Sequence, residues 1–373
     1  MSVPDAAPTD RSGPLRGVRV VELGGIGPGP HGCALLADLG CDVVTIASPS
    51  QVTGVDVSRE ATNPLSRGKR SVEVDLKTDS GVAAVLELCD RADVLVDPFR
   101  PGVCERLGIG PDVVCARNPR LIFARLTGWG QHGPYAQQVG HDINYLATSG
   151  VLSMLGNEPD GPPTVPLNLL ADFAGGGMLL ALGVSAALAE RASSGRGQVL
   201  DVAMVDGLAA IAGPFFHAVV SGAWGPRGTN LLDGGAHFYT TYRTADDRWI
   251  AVGAIEPQFY AALLDVLGLH DDPPQWDRSG WPQWRDRLGT VFAGETRDHW
   301  VDRFSGTDAC VSPVLDPTEA VVDAHLRERQ TIVDVGGVPQ WGPAPRFGRT
   351  PGGSGAAVHP GATPLAEVVD SWG

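Results

Sequence analysis

The chain has 373 residues, 43% hydrophobic and 19% charged, with 43 acidic against 28 basic side chains for a net charge of −15. That length accommodates two compact domains, or one large domain with a substantial insertion, and the composition is that of a folded globular protein rather than a disordered one. The acidic balance excludes general affinity for nucleic acid or anionic membranes, although a local basic pocket can still hold an anionic ligand.

No segment reaches the roughly 18 unbroken apolar residues of a membrane span. The best candidate, Gly175–Ala189, is broken by glycine and reads as a buried helix. The opening "MSVPDAAPTDRSGP" lacks the apolar core of a signal peptide and reads as a polar lead-in. Six cysteines (Cys33, Cys41, Cys89, Cys104, Cys115, Cys310) show no metal-ligand spacing. The expectation is reduced thiols, several in the core, a cytoplasmic location and no metal site.

In chain order, "GVRVVEL" (Gly17–Leu23) and "CDVVTIA" (Cys41–Ala47) are β-branched runs separated by the helical pattern "HGCALLADLG". A strand over "SVEVDL", a helix over "DSGVAAVLELCDRA", a strand over "DVLVD" and a strand within Pro119–Trp129 continue the alternation. Helices are expected at Leu169–Arg191 and Val202–Ser221. The pattern then changes to paired strands, Phe238–Arg243 and Trp249–Gly253, across the turn "TADD", followed by helices to about Glu328. The tail from Val335 to Thr363 is dense in proline and glycine and reads as an extended strap. The expected class is α/β: a large open, largely parallel, Rossmann-like sheet domain over residues 1–224, a smaller α+β domain over 225–330, and a wrapping C-terminal segment over 331–373 that returns to the large domain.

After the first strand, Gly27, Gly29 and Gly32 spell G-x-G-x-x-G. A dinucleotide site also needs an acidic side chain at the end of the second strand, where this chain has Ile46, Ala47 and Ser48. Pro28 and Pro30 remove two amide donors from the loop. The glycines therefore read as a tight strand-to-helix turn.

Ordered blocks across the chain resemble the α-methylacyl-CoA racemases of the class III CoA-transferase superfamily: "RVVELGGIGPGP", "FRPGVCERLGIG", "LIFARLTGWGQHGP", "GHDINYLATSG", "LNLLADFAGGGM", "GRGQVLDVAMVDG", "AVGAIEPQFY", "DACVSPV" and "PAPRFGRT". The resemblance implies an acyl-thioester racemase or epimerase. It inverts the α-carbon of a 2-methyl-branched acyl-CoA by 1,1-proton transfer through an enolate, with CoA as substrate carrier and no cofactor. It implies His141 and Asp172 as the two acid/base groups and Glu256 as the residue that orients or charge-balances His141. It implies an interlocked homodimer in which Glu256 comes from the second subunit, and enolate stabilisation by backbone amides near Gly175–Gly177. Read singly, His141 is a loop or capping residue, Asp172 a helix N-cap, and Glu256 an N-cap before Pro257. His132 and His237 read as ordinary polar residues.

For the CoA phosphates, the matching blocks offer Arg67, Arg70, Arg100 and Arg106, with Arg125 and Lys69 as weaker candidates. Relatives carry basic and acidic residues at the end of the second strand, where this chain has Thr45, Ala47 and Ser48. That departure leaves open an acyl group delivered on the phosphopantetheine arm of a carrier protein or on a truncated thioester. A further alternative is a class III CoA-transferase with Asp172 as nucleophile. Against it, the chain contains no run of four glycines and keeps the His141/Glu256 pair.

Overall fold

Successive valines point to opposite faces of a strand, and this period of two builds the larger of two units in the chain. The computed structural model describes residues 12–49, 63–269 and 274–373, so residues 1–11 of the expected polar lead-in lie outside the described residues. Strands β1 (Arg19–Leu23), β2 (Asp42–Ala47), β3 (Arg70–Glu73), β4 (Val94–Asp97), β5 (Ile122–Thr127) and β6 (Val199–Ala203) form one sheet in the order β3-β2-β1-β4-β5-β6. Every neighbouring pair is parallel. Val20, Val43 and Val94 pack on one face with Cys33 and Leu36 of the helix Pro28–Asp38 and Leu180 and Val184 of the helix Leu179–Ser194. Val21, Val44 and Leu95 pack on the other with Leu88 of the helix Asp79–Arg91 and with Val368 and Trp372 near the chain's end. Helices on both faces of a parallel sheet are the expected α/β class.

Two local expectations are corrected. The strand β6 occupies the start of the helix expected from Val202; Ala203 runs straight into the helix Met204–Val220 with no turn residue between them, so the strand has no punctuation in the sequence. The glycine-broken apolar run, expected to be buried, is buried along one face only. Leu180 and Val184 are in the core, while Met178 and Leu182 are 59% and 65% exposed.

The chain divides into two units. One comprises the residues up to Ser149, Leu167–Ile211 and Ala324–Gly373; the other comprises Gly150–Pro166 and Ala212–Asp323. The second unit thus takes in residues 150–166 and begins inside the helix Met204–Val220, earlier than the expected boundary at 225. It holds the antiparallel sheet β7 (Tyr239–Arg243), β8 (Trp249–Gly253) and β9 (Val311–Pro313), in that order. Phe238, Tyr242, Ile250, Leu263, Phe292 and Trp300 form its core. His237 is fully buried there, with Nε2 2.7 Å from the Tyr260 hydroxyl, and burial lowers its pKa to about 4. It belongs to the core rather than to an ordinary polar surface.

The C-terminal strap, in the larger unit, opens with the hairpin β10 (Ile332–Val335) and β11 (Val338–Trp341) and then runs beside residues 67–71. Gly68 N–H donates to Ala356 and Thr363 N–H to Ser71. Arg67 holds this seam. Its guanidinium is completely buried, pairs with Asp38, donates to Gln340 and the Trp341 carbonyl, and lies over the Trp341 ring at 4.1 Å. A side chain wholly enclosed and paired inside the protein is unavailable to a CoA phosphate, which corrects the sequence expectation for Arg67. Replacing it by methionine would leave Asp38 buried without its cation, at a cost of about 3–5 kcal/mol. Urea denaturation of Arg67→Met should show this loss. Unchanged stability with weakened thioester binding would instead restore a ligand role.

Candidate active site

In an open parallel sheet, loops diverge where the strand order reverses, leaving a crevice beyond the carboxyl ends of the strands. Here the reversal lies between β1 and β4. The loops after both strands (Gly24–Ile26 and Pro98–Pro101) line a cavity of about 680 Å³ together with His141, Tyr145 and Asp172. A second cavity of about 340 Å³ lies at the ends of β1, β2 and β3 and shares Gly24–Ile26 and Asp172 in its lining.

Asp172 sits in the first turn of a wide π-helix, Leu169–Met178, which continues directly into the helix Leu179–Ser194. It is not the N-cap; that position belongs to Asn168, whose Nδ2 donates to Asp172 Oδ2 at 3.2 Å. Gly27, at φ +67°, turns the chain from β1 into the helix Pro28–Asp38, and a Cβ there would lie 2.8 Å from Asp172 Oδ2. Glycine is required at this point by both backbone conformation and space. His141 is exposed and N-caps the helix Asp142–Thr148, its backbone N–H donating to Asn144 Oδ1 at 3.0 Å. Burial pushes the Asp172 carboxyl above the usual carboxylate range and the charge of Asp142 adds to the rise, while the Asn168 hydrogen bond and His141 oppose it. Burial, then the Asp172 charge, likewise raises the Tyr145 hydroxyl, which donates to the Gly140 carbonyl at 2.6 Å.

The candidate cations separate into two groups. Arg125 is buried, bidentate to Glu105 at 2.8 and 3.2 Å and 3.5 Å from Asp97, so it fastens the ends of β4 and β5 rather than facing a ligand. Arg70 borders the smaller cavity but is paired with Asp42 at 2.5 Å and donates to Ser371. Lys69 Nζ is 2.8 Å from Glu22 and 2.9 Å from the Pro30 carbonyl. These three act first as structural ion pairs, which corrects the ligand role expected of Arg70 and Arg125. Arg100 and Arg106 are exposed and border a third depression of about 490 Å³; Arg100 also lines the 680 Å³ cavity.

The amides expected to face an enolate are also corrected. Gly175–Gly177 lie within the helix, packed on Pro28, His31 and Met204. Nearer the start, the Ala171 and Asp172 amides donate to Asp142 and the Phe173 amide to the Asn168 carbonyl. Glu256 belongs to the second unit, where it is exposed and N-caps the helix Pro257–Leu267.

The profile of CoA-transferase family III matches residues 15–363. The chain is 49% identical over 341 residues to α-methylacyl-CoA racemase of Mus musculus, covering 90% of this chain and 87% of that protein. The chain belongs to CoA-transferase family III. The α-methylacyl-CoA racemase of Homo sapiens is also 49% identical, over 86% of this chain and 82% of that protein. Among solved structures, a CAIB/BAIF family protein from Brucella suis superposes with a TM-score of 0.82 at 25% identity, over 97% of this chain and all of the other.

Within this family III fold, sequence reading missed the supports of the site. Asp142 and Asn168 hold Asp172, and Thr45, Glu22 and Lys69 form a buried network under the smaller cavity, with Thr45 Oγ1 2.7 Å from Glu22. The polar "HD" at a helix start was a usable signal for Asp142. Nothing local pairs Thr45 with Glu22, whose contact is made only by the parallel register of β1 and β2.

A carboxyl with a raised native pKa binds its proton more tightly folded than unfolded. Its destabilisation is absent below the unfolded pKa, grows as pH rises through the native value, and is complete above it. Asp172→Asn, which keeps an acceptor for Asn168, should therefore melt a few degrees higher than wild type near pH 7 and lose that advantage towards pH 3. Thermal melts across this range check it; an unchanged or lower melting temperature at pH 7 would contradict a strained carboxylate.

Proposed function

We propose that this chain is an isomerase, an α-methylacyl-CoA racemase that inverts the stereocentre beside the thioester of a methyl-branched acyl-CoA. The observation that carries the reading is the meeting of His141 and Asp172 on the lining of one 680 Å³ cavity, at the loops of a sheet whose sequence is 49% identical to racemases of mouse and human.

In the forward step one group accepts the α-proton. The electron pair of the C–H bond passes into the carbon skeleton to give a planar enolate, with negative charge on the thioester oxygen. The other group then donates a proton to the opposite face of the same carbon. Proton transfer alone balances the reaction, and the two groups exchange roles for the opposite enantiomer. A carboxyl raised in pKa by burial is a better proton donor at neutral pH and a stronger base than an exposed one. With the Gly175–Gly177 amides enclosed, the enolate oxygen is assigned to the N-terminal end of the helix Pro28–Asp38, where Pro28 and Gly29 line the cavity and the dipole is positive.

The working form is a homodimer in which Glu256 of the partner subunit balances His141, supported by the exposed apolar Leu167, Leu169, Met178 and Leu182. Buried free thiols such as Cys33 and Cys89 suit the reducing cytoplasm in which we place it. CoA is held at its phosphates by Arg100 and Arg106. One observation favours a second carrier: the cations lining the smaller cavity already face carboxylates, and Thr45 is bonded to Glu22. An acyl group on a carrier protein's phosphopantetheine arm needs no cation there.

Proton NMR of (R)- and (S)-2-methylacyl-CoA in deuterated water tests the reading. Wild type should wash out the α-proton of both isomers, and His141→Ala or Asp172→Ala should slow exchange by about 10²–10⁴-fold. Trappable acyl-enzyme without α-exchange would point to transferase chemistry at Asp172. Exchange on pantetheine but not CoA thioesters would establish the second carrier.

A further inference from the structure

The carboxylate of Asp142 is used by neither of the two steps above, yet it touches both participants. By sequence it adjoins His141, as the first residue of the helix that His141 caps. By contact it belongs to Asp172: its Oδ2 accepts the Ala171 N–H at 2.9 Å and the Asp172 N–H at 2.8 Å. The side chain is 7% exposed, and its Oδ1 is buried without a hydrogen-bond partner among the described residues.

This environment is unlike that of the other buried carboxylates in the described residues. Glu22, Asp38 and Asp97 each face a cation: Lys69, Arg67 and Arg125 respectively. Asp142 has only two backbone amides for its charge. A buried carboxylate with one orphaned oxygen costs stability, and packing alone gives no reason to keep it. The amides it binds would otherwise be open donors at the start of a wide helix, where no carbonyl of the preceding turn reaches them.

We propose that Asp142 is a positioning residue that clamps the Asp172-bearing turn to the His141-bearing helix, fixing the separation of the two acid/base groups and supplying the negative charge that keeps Asp172 a strong base. The inference rests on the racemase reading for its kinetic consequence but not for its electrostatic one. One covalent step and two hydrogen bonds connect the two groups, so a shift of either helix is transmitted to the other. A misplacement of about 1 Å costs roughly 10²-fold in rate.

Other groups face Asp172 as well. From the helix Asp142–Thr148 and its cap come His141 and Tyr145; Asn168 comes from its own turn. Glu22, Lys69 and Arg70 border the smaller cavity that Asp172 lines, and Arg100 the larger. The Gly27 turn offers backbone only. The charge of His141 lowers the proton affinity of Asp172, and that of Asp142 raises it.

Two variants separate charge from position. Asp142→Asn keeps an acceptor for both amides and removes the charge. Its Asp172 carboxyl, followed by carbon-13 NMR titration, should ionise at lower pH than in wild type, with the acidic limb of kcat moving the same way. Asp142→Ala removes both functions, and kcat should fall about 10²-fold with KM within about threefold, while Asp142→Asn retains most of the positioning and loses less. The proposal is overturned if the Asp172 titration is unmoved in Asp142→Asn, or if folded Asp142→Ala turns over as wild type. It is equally overturned if activity falls only in proportion to the unfolded fraction. Should Asp142→Ala not fold, the Asp142→Asn titration and kinetics decide alone. Should wild type show no α-proton exchange, the racemase reading fails, and the carbon-13 titration still decides whether Asp142 governs the Asp172 proton.

Discussion

Two backbones in this protein approach more closely than side chains permit, and the site depends on that approach. A Cβ on Gly32 would lie 2.7 Å from the Gly177 carbonyl oxygen, and one on Gly177 would lie 2.3 Å from His31 Nδ1. A Cβ on Gly176 would lie 2.8 Å from that of Pro28. The helix after β1 and the wide helix carrying Asp172 are thus pressed together through glycine on both sides. This contact brings the Gly27 turn against the Asp172 carboxyl, draws that carboxyl out of water and sets its proton affinity. The letters that imitate a dinucleotide fingerprint therefore have a different task. They provide a turn at Gly27 and a flat helix face at Gly32, and the group they receive is a protein carboxylate rather than a pyrophosphate.

The sheet was legible because each of its strands before β6 is bounded by a turn or cap signal and alternates across two buried faces. The β6 strand was not, because its apolar residues continue into the next helix without a break. The acid/base candidates were legible only in company: "GHDINY" and "LADFAGGG" acquire meaning from the blocks around them, since His141 taken alone is an exposed cap. Cations were the least legible. Arginine in a loop carries the same letter whether it faces solvent, a phosphate or a buried aspartate. The partners of Arg67 are 29 and more than 270 positions away, beyond any local pattern. For the same reason the domain boundary was misplaced, since the residues around 150–166 join the second unit through contacts with residues near 227 that the chain order hides.

Charge placement then follows a simple division. In the larger unit, Arg67, Lys69 and Arg125 face the buried carboxylates of Asp38, Glu22 and Asp97, each fastening a segment: the strap, the β1 end and the ends of β4 and β5. Such pairs add little net stability compared with apolar packing, but removing one member leaves a stranded charge, so they specify one arrangement of the loops. Arg100 and Arg106 are exposed beside the cavities and keep their charge facing water. On an acidic protein, a pair of exposed cations beside a cavity makes a local positive field that favours anionic groups there. The Asp172 carboxyl meanwhile is half-buried beside a second negative charge, that of Asp142. The two kinds of charge are thereby kept apart: cations packed against Asp172 would stabilise its ionised form and lower its proton affinity, whereas burial and the Asp142 charge hold that affinity up.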